Sequence, residues 1–113
     1  MIMIRAIIRQ EKINAVMAAL MEAGFPSMTR FSVFGRGKQR GVVVGDITYD
    51  ELPKEMLMVV VPSEDEETSC KIIQDTARSG DEGKHGDGKI FVTEVSTVYT
   101  VSTGEKEFSS EEA

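Results

Sequence analysis

The sequence has 113 residues, 41% of them hydrophobic, and a formal net charge of −6 at pH 7. This length and composition predict one globular domain, and the acidity argues against nonspecific nucleic-acid binding, which needs a basic surface. The single cysteine, Cys70, excludes an internal disulfide, and without a signal-peptide pattern or an apolar run of about 18 residues we expect a cytoplasmic protein.

The pattern of residues 2–26 predicts a strand followed by a helix. Residues 2–9, "IMIRAIIR", are rich in β-branched side chains and partly alternate, which is typical of a strand. A helix is predicted over residues 10–23, and Gly24 and Pro26 end it. Its apolar side chains recur at helical spacing and predict the buried stripe. They are Ile13, Val16, Met17, Leu20 and Met21.

The middle of the chain predicts two more strands and a second helix. The strands are expected at residues 28–35 and 54–62. Ser63 and Glu66 then match the S-x-x-E pattern of a capping box, which predicts a helix that runs to about residue 79.

A fourth strand at residues 89–95 and a short fifth at 98–101 complete the order β-α-β-β-α-β. This order predicts an α+β, ferredoxin-like fold in which two helices cover one face of an antiparallel sheet. The predicted domain spans residues 1–104, and the acidic tail, 105–113, is expected to be flexible. The uncovered sheet face is expected to pack in an oligomer because its strands carry apolar side chains. These are Met56, Met58, Ile2 and Ile4.

The connection between the second and third strands, residues 36–53, is far longer than a hairpin needs and is called the arm below. Connections of this length are usually functional. Its first part carries Arg36, Lys38 and Arg40, a local basic cluster that suits a small anion. Gln39 offers an amide oxygen, and the flanking glycines can present backbone amides to carboxylate or phosphate oxygens.

A second glycine-rich stretch, "GKHGDGKIFV" at residues 83–92, begins like a P-loop. A P-loop leads from a strand into a helix, whereas this stretch leads from a helix into a strand, so we reject that interpretation. It still exposes backbone amides, with Lys84 and Lys89 nearby, and Asp87 is expected to fix the turn. No catalytic arrangement is visible, so a binding module is favoured over an enzyme.

Several segments together resemble the nitrogen regulatory PII (GlnB-like) family over nearly the whole chain. They are "IRAIIR", "FGRGKQRG", "DELPK", "GDGKIFV" and "TVYTVSTGE". The arm is similar to the family's T-loop, and residues 80–89, the B-loop below, are similar to its B-loop. The most specific of these segments is "GDGKIFV" at residues 86–92, which resembles the B-loop signature. The resemblance implies a trimer with three clefts between subunits. Each cleft would bind ATP or ADP and, with MgATP, also 2-oxoglutarate.

The resemblance also implies roles for individual residues. Those expected to bind the nucleotide are Ile7, Thr29, Gly35, Gly37, Lys38, Val60, Gly86, Asp87, Gly88 and Lys89. Those expected to bind 2-oxoglutarate are Gly37, Lys38, Gln39, Arg40, Gly41 and Lys54. Gln39 would also ligate Mg together with the ATP phosphates and 2-oxoglutarate. The partner-binding part of the arm is expected to include Arg40, Val43, Asp46, Tyr49 and Glu51.

The short arm and "YDELPKEMLMVVV" resemble the first of two PII-like subunits found in nitrogenase gene clusters of archaea and some anaerobic bacteria. This implies a regulator that works with a second PII-like paralogue, binds nitrogenase and switches it off until MgATP and 2-oxoglutarate release it. The B-loop is longer than in the common family, and Thr100 and Ser102 replace two arginines. Lys84 or His85 is expected to compensate for them.

Two other functions stay open at this point. One is a general PII regulator of an ammonium transporter or of glutamine synthetase. The other is a small ferredoxin-like enzyme or metal-tolerance protein.

Overall fold

The computed structural model describes residues 1–36, 42–44, 47–49 and 51–110, with side chains for 1–35 and 52–110. Each helix follows a short 3-10 turn, and the helices are α1 (Ile13–Glu22) and α2 (Glu66–Ala77). The strands are β1 (Ile2–Arg9), β2 (Met28–Arg36), β3 (Val42–Val44), β4 (Ile47–Tyr49), β5 (Glu51–Val61), β6 (Gly88–Glu94), β7 (Thr97–Tyr99) and β8 (Lys106–Ser109).

The main sheet has four strands in the order β2-β5-β1-β6, and every neighbouring pair is antiparallel. Both helices pack against one face of this sheet. The predicted ferredoxin-like fold is therefore confirmed. None of the helices in the described ranges is long and apolar enough to cross a membrane.

The core lies between the helices and one face of the sheet. Strict alternation along β1 buries Ile2, Ile4, Ala6 and Ile8. The facing residues of β5 and the inner stripes of the helices complete this core, notably Leu57, Val59, Val16, Leu20 and Ile73.

Two sequence expectations about packing are wrong. Ile2 and Ile4 belong to the helix-covered face, because alternation along β1 leaves only its odd-numbered residues for the other side. Met21 is 61% exposed, since the stripe of α1 that contacts the sheet is narrower than predicted.

The uncovered side of the sheet, called the open face, carries large apolar side chains. The odd-numbered residues of β1 and the even-numbered residues of β5 lie there, including Met56 and Met58. Phe31, Val60 and Phe91 are 43%, 39% and 51% exposed. Such a surface fits burial in an oligomer, and the trimer stays a prediction.

The predicted capping box does not form. Ser63 lies in a 3-10 turn, Ser63–Asp65, and α2 begins only at Glu66. Neither N-cap residue, Pro62 for the turn or Asp65 for α2, makes a capping hydrogen bond with its side chain. The turn instead closes through a backbone hydrogen bond from the Asp65 N–H to the Pro62 carbonyl, at 3.0 Å. Ser63 therefore lies two residues before Asp65, the actual N-cap of α2.

The arm is partly a β-ribbon. Pairing between β2 and β5 continues to Arg36 opposite Glu51, so both strands extend further into the arm than predicted. Beyond them, β3 and β4 form a second antiparallel pair, with Val42 opposite Tyr49.

The chain after residue 104 differs from the expected flexible tail. β8 pairs with β7, and Ser109 is buried. Thr100 joins the two sides of this hairpin, because its Oγ1 donates to Glu107 Oε2 at 3.1 Å and its N–H donates to the Glu105 carbonyl at 2.9 Å. Acidic composition predicts solvation but does not prevent pairing with a neighbouring strand.

Candidate functional site

Asp87 holds the B-loop together. Its Oδ1 accepts hydrogen bonds from Ser79 Oγ at 2.7 Å and Arg9 Nε at 3.0 Å. Its Oδ2 accepts from the Lys84 N–H at 2.8 Å and the Ser79 N–H at 3.0 Å. One carboxylate thus joins the end of α2, the B-loop and the end of β1. Both oxygens are used by protein donors, which confirms the interpretation that Asp87 fixes the turn.

These donors control the ionisation of Asp87. Burial raises the pKa of the carboxyl group, but the hydrogen bonds from Ser79, Lys84 and Arg9 outweigh it and hold the pKa well below its usual range. The group is therefore ionised in the folded protein throughout the physiological range. An ionised carboxylate would repel phosphate, so any contact with a nucleotide at this position would come from the backbone.

We expect Asp87→Asn to lower the free energy of unfolding by about 1.5 kcal/mol at pH 7, because hydrogen bonds to an ionised group are lost. The folded pKa is lowered, so this contribution is present above the unfolded-state pKa of about 4 and is lost as pH falls below it. Urea unfolding of both proteins from pH 7 to pH 2.5 measures the effect. A stability difference that stays constant over this range would contradict the assignment.

Two cations lie side by side where the arm meets the sheet. Arg9 and Lys54 are direct cross-strand partners on the open face. Arg9 Nη2 donates to the His85 carbonyl at 2.7 Å, and Lys54 Nζ donates to the Gly86 carbonyl. Lys54 is only 8% exposed. Burial, and then the nearby guanidinium of Arg9, lower the pKa of its ammonium group.

The charge of this pair is not fully balanced by the residues bonded to it. Like charges directly opposite one another across strands are destabilising. Among the residues that the structure describes, the one carboxylate bonded to this pair is that of Asp87, and the other acceptors are neutral carbonyls. The Glu11 carboxylate acts on Lys54 through its charge. A pair of cations bonded mainly to neutral groups can accept a further anion at the base of the arm.

Gly88 lets the B-loop pass close to β1. Its φ is +121°, and a Cβ atom built on it would lie 1.8 Å from the Ile7 carbonyl oxygen. Only glycine fits this approach. Gly35 is packed more loosely, since its added Cβ would lie 3.3 Å from Lys54 Cγ. Gly35 therefore lies against the stem of the buried lysine.

The predicted nucleotide residues that the structure describes include two separate groups. Ile7 pairs with Lys89, next to Gly86 and Gly88. Thr29 lies on β2, at the opposite edge of the sheet from β6 and so about 14 Å away at the usual strand spacing. Val60 lies on β5 near that second group. One chain does not bring the two groups together.

Several predicted residues lie outside the description of the structure. Those outside the described residues altogether are Gly37, Lys38, Gln39, Arg40, Gly41 and Asp46. For Val43, Tyr49 and Glu51 only the backbone is described, in β3, β4 and β5. The roles proposed for all of them stay predictions. Elsewhere, in the ranges that the structure does describe, no group of three His, Cys, Asp or Glu residues could hold a metal ion.

Sequence reasoning missed Arg9 and Ser79. Arg9 alternates with Ile7 along β1, which places it on the open face, but its position opposite Lys54 depends on the register of two strands. Ser79 lies two residues after the end of α2, where the sequence gives no sign of a specific partner. The sequence does contain one signal for both residues. Asp87, the acidic residue in "GDGK", needs hydrogen-bond donors from outside its own turn, and Arg9 and Ser79 supply them.

Comparison with known proteins is consistent with this geometry. A sequence model of the family described as "Nitrogen regulatory protein P-II" matches residues 1–105. The "Nitrogen fixation nifHD2 region GlnB-like protein 1" of Methanosarcina barkeri is 49% identical over 104 residues, which cover 92% of this chain and 96% of the relative.

Two further relatives are similar to this chain. The "Nitrogen fixation nifHD region GlnB-like protein 1" of Methanothermobacter marburgensis is 50% identical over 104 residues, covering 92% of this chain and 96% of the relative. The "Nitrogen regulatory protein P-II 1" of Methanothermobacter thermautotrophicus is 46% identical over 106 residues, covering 90% of each chain.

Proposed function

Because this chain belongs to the nitrogen regulatory protein P-II family, we propose that it senses ATP or ADP and 2-oxoglutarate and regulates nitrogenase through its arm. The family assignment confirms the resemblance seen in the sequence. Relatives whose names place them in nifHD regions support nitrogenase as the regulated enzyme. Binding would switch nitrogenase off, and MgATP with 2-oxoglutarate would release it.

The observation that carries this proposal is the pair of cations at the base of the arm. Arg9 and Lys54 lie side by side, Lys54 is almost fully buried, and within the described part of the chain Asp87 is the one carboxylate bonded to them. An anion bound there would be attracted by both cations. Lys54 donates to a neutral carbonyl, and a carboxylate is a stronger acceptor for an ammonium group. A dicarboxylate such as 2-oxoglutarate therefore fits this position.

The B-loop supplies the features that suit a nucleotide. Gly88 leaves its backbone without a side chain beside β1, and Lys89 adds a positive charge next to Ile7 on the open face. In a trimer, the second group, Thr29 and Val60, could approach the B-loop of a neighbouring copy across a shared cleft. Whether Lys84 or His85 replaces the missing arginines stays a prediction.

Bound ATP would supply phosphate oxygens for Mg, and Mg would supply a ligand site for 2-oxoglutarate. This chain would contribute Gln39 to the metal, and Lys54 with the amides of residues 37–41 to the carboxylates. Each ligand would then build part of the site for the other, so their coupling must be reciprocal.

Replacing Gln39 with alanine is expected to weaken 2-oxoglutarate binding by about tenfold and ATP binding by less, because one polar contact is worth roughly 1–1.5 kcal/mol. Calorimetric titration of each ligand onto the variant and the parent protein gives both constants. Equal losses for the two ligands would contradict the role of Gln39.

Partner choice separates this proposal from a general PII regulator. Tagged protein, incubated in extract of nitrogen-fixing cells, is expected to capture a nitrogenase component without ATP and 2-oxoglutarate and to release it when both are added. Capture of an ammonium transporter or glutamine synthetase instead would favour the general regulator. Native mass measurement with and without the second PII-like paralogue would distinguish a homotrimer from a mixed oligomer.

A further inference from the structure

A cavity of about 450 Å³ lies between α2 and the B-loop. Its floor is apolar and comes from three elements of the core. The floor residues are Ile8 of β1, Ile73 and Ala77 of α2, and Ile90 of β6. Residues 82–85 of the longer B-loop form part of its wall. The volume is within the range of pockets that bind small organic molecules.

The cavity lies on the helix-covered side of the sheet. Ile8 and Ile90 lie on that side, because they share a face with the buried residue Ala6 in the pairing of β1 with β6. Thr29 and Val60, which we assign to the nucleotide on the open face, do not line it. The cavity is therefore separate from the proposed shared cleft, although Gly88 and Lys89 border both.

Charged side chains lie around the cavity. Three of its lining residues are cationic, namely Arg78, Lys84 and Lys89. Arg78 Nη1 lies 3.8 Å from Asp75 Oδ1. Lys89, opposite Ile7, belongs to the open face, so Lys84 is, among these three, the cation available at the rim. The acidic residues in the lining are Glu82 and Asp87, and Asp87 already accepts four hydrogen bonds from protein groups.

We propose that this cavity is a second effector site, which binds a small organic anion with a flat apolar body. The apolar body would rest on Ile90, the partly exposed residue of the floor, where it removes apolar surface from water. The anionic group would lie at the rim near Lys84. Because Gly88 and Lys89 border both sites, occupancy would influence the B-loop from the side opposite the nucleotide.

The fluorescent dye 8-anilinonaphthalene-1-sulfonate has this chemistry and serves as the probe. We expect saturable binding of one dye per chain. Gln74→Trp should weaken it at least tenfold, because this exposed lining residue of α2 can fill the cavity without disturbing the core. Lys84→Gln should weaken it about fivefold, as expected for a partly screened ion pair. The control Lys71→Gln, also on α2 but outside the lining, should leave it unchanged.

Dye titration in the presence of saturating MgATP tests whether the dye site differs from the nucleotide cleft. Dye binding that persists with MgATP present supports a separate site, and displacement of the dye by MgATP would overturn the proposal. Unchanged dye affinity in both Gln74→Trp and Lys84→Gln would also overturn it, because the dye would then bind elsewhere, such as the exposed apolar open face. Thermal unfolding of each variant verifies that it is folded.

Discussion

Replacing Gly88 with alanine is expected to lower the free energy of unfolding by about 3 kcal/mol or more, the largest stability effect that we predict for a single methyl group. The added Cβ would lie 1.8 Å from the Ile7 carbonyl oxygen and 2.9 Å from the Ile7 carbonyl carbon. Both atoms are backbone of the central strand β1, so neither can move aside without disturbing the sheet. A φ of +121° adds strain for any residue other than glycine.

The matched control is Gly24→Ala, because Gly24 has a similar φ of +98° but an added Cβ there meets nothing within 4 Å. This variant should cost about 1 kcal/mol, from backbone strain alone. Urea unfolding of both variants measures the difference. Equal destabilisation would mean that backbone strain, and not the close approach to Ile7, determines the need for glycine.

Replacing Lys54 with methionine is expected to weaken 2-oxoglutarate binding at least thirtyfold while changing the free energy of unfolding by no more than about 1 kcal/mol. The binding loss follows from removal of a charge-assisted contact to the ligand, worth roughly 2 kcal/mol or more. Stability should be nearly preserved, because the lost bond to the Gly86 carbonyl is offset by removal of a buried charge beside Arg9.

Calorimetry for the ligand and urea unfolding for the fold test both halves of this prediction. Lys71→Met is the control, because Lys71 is an exposed lysine of α2, which covers the face of the sheet opposite to Lys54, and its replacement should leave both quantities unchanged. If the Lys54→Met protein binds 2-oxoglutarate normally, Lys54 is not part of the binding site. A protein that loses binding only because it unfolds would show this in the urea experiment.

The fold could be predicted from the sequence because hydrophobic periodicity follows the physics of burial. Residues 2–9 alternate and become the central strand, with every second side chain buried. The same approach failed at Met21 and Ser63. Where an amphipathic helix ends its contact with the sheet, and whether a capping motif coincides with the helix start, depend on tertiary packing.

The site could be predicted only in part. The role of Asp87 in fixing the turn was predictable, because a turn residue of this kind bonds to nearby backbone. The pairing of Arg9 with Lys54 was not predictable, because it depends on the register of strands separated by more than forty residues. Composition also could not show that residues 106–109 pair with β7, since strand pairing at this position depends on the geometry of the preceding turn.

The most direct test of the proposed function is a calorimetric titration of 2-oxoglutarate onto the purified protein, alone and with saturating MgATP. We predict binding only with MgATP present, and tighter ATP binding when 2-oxoglutarate is present, by the same factor. Equal 2-oxoglutarate affinity with and without MgATP, or no binding in either condition, would contradict the account of a coupled effector site at the base of the arm.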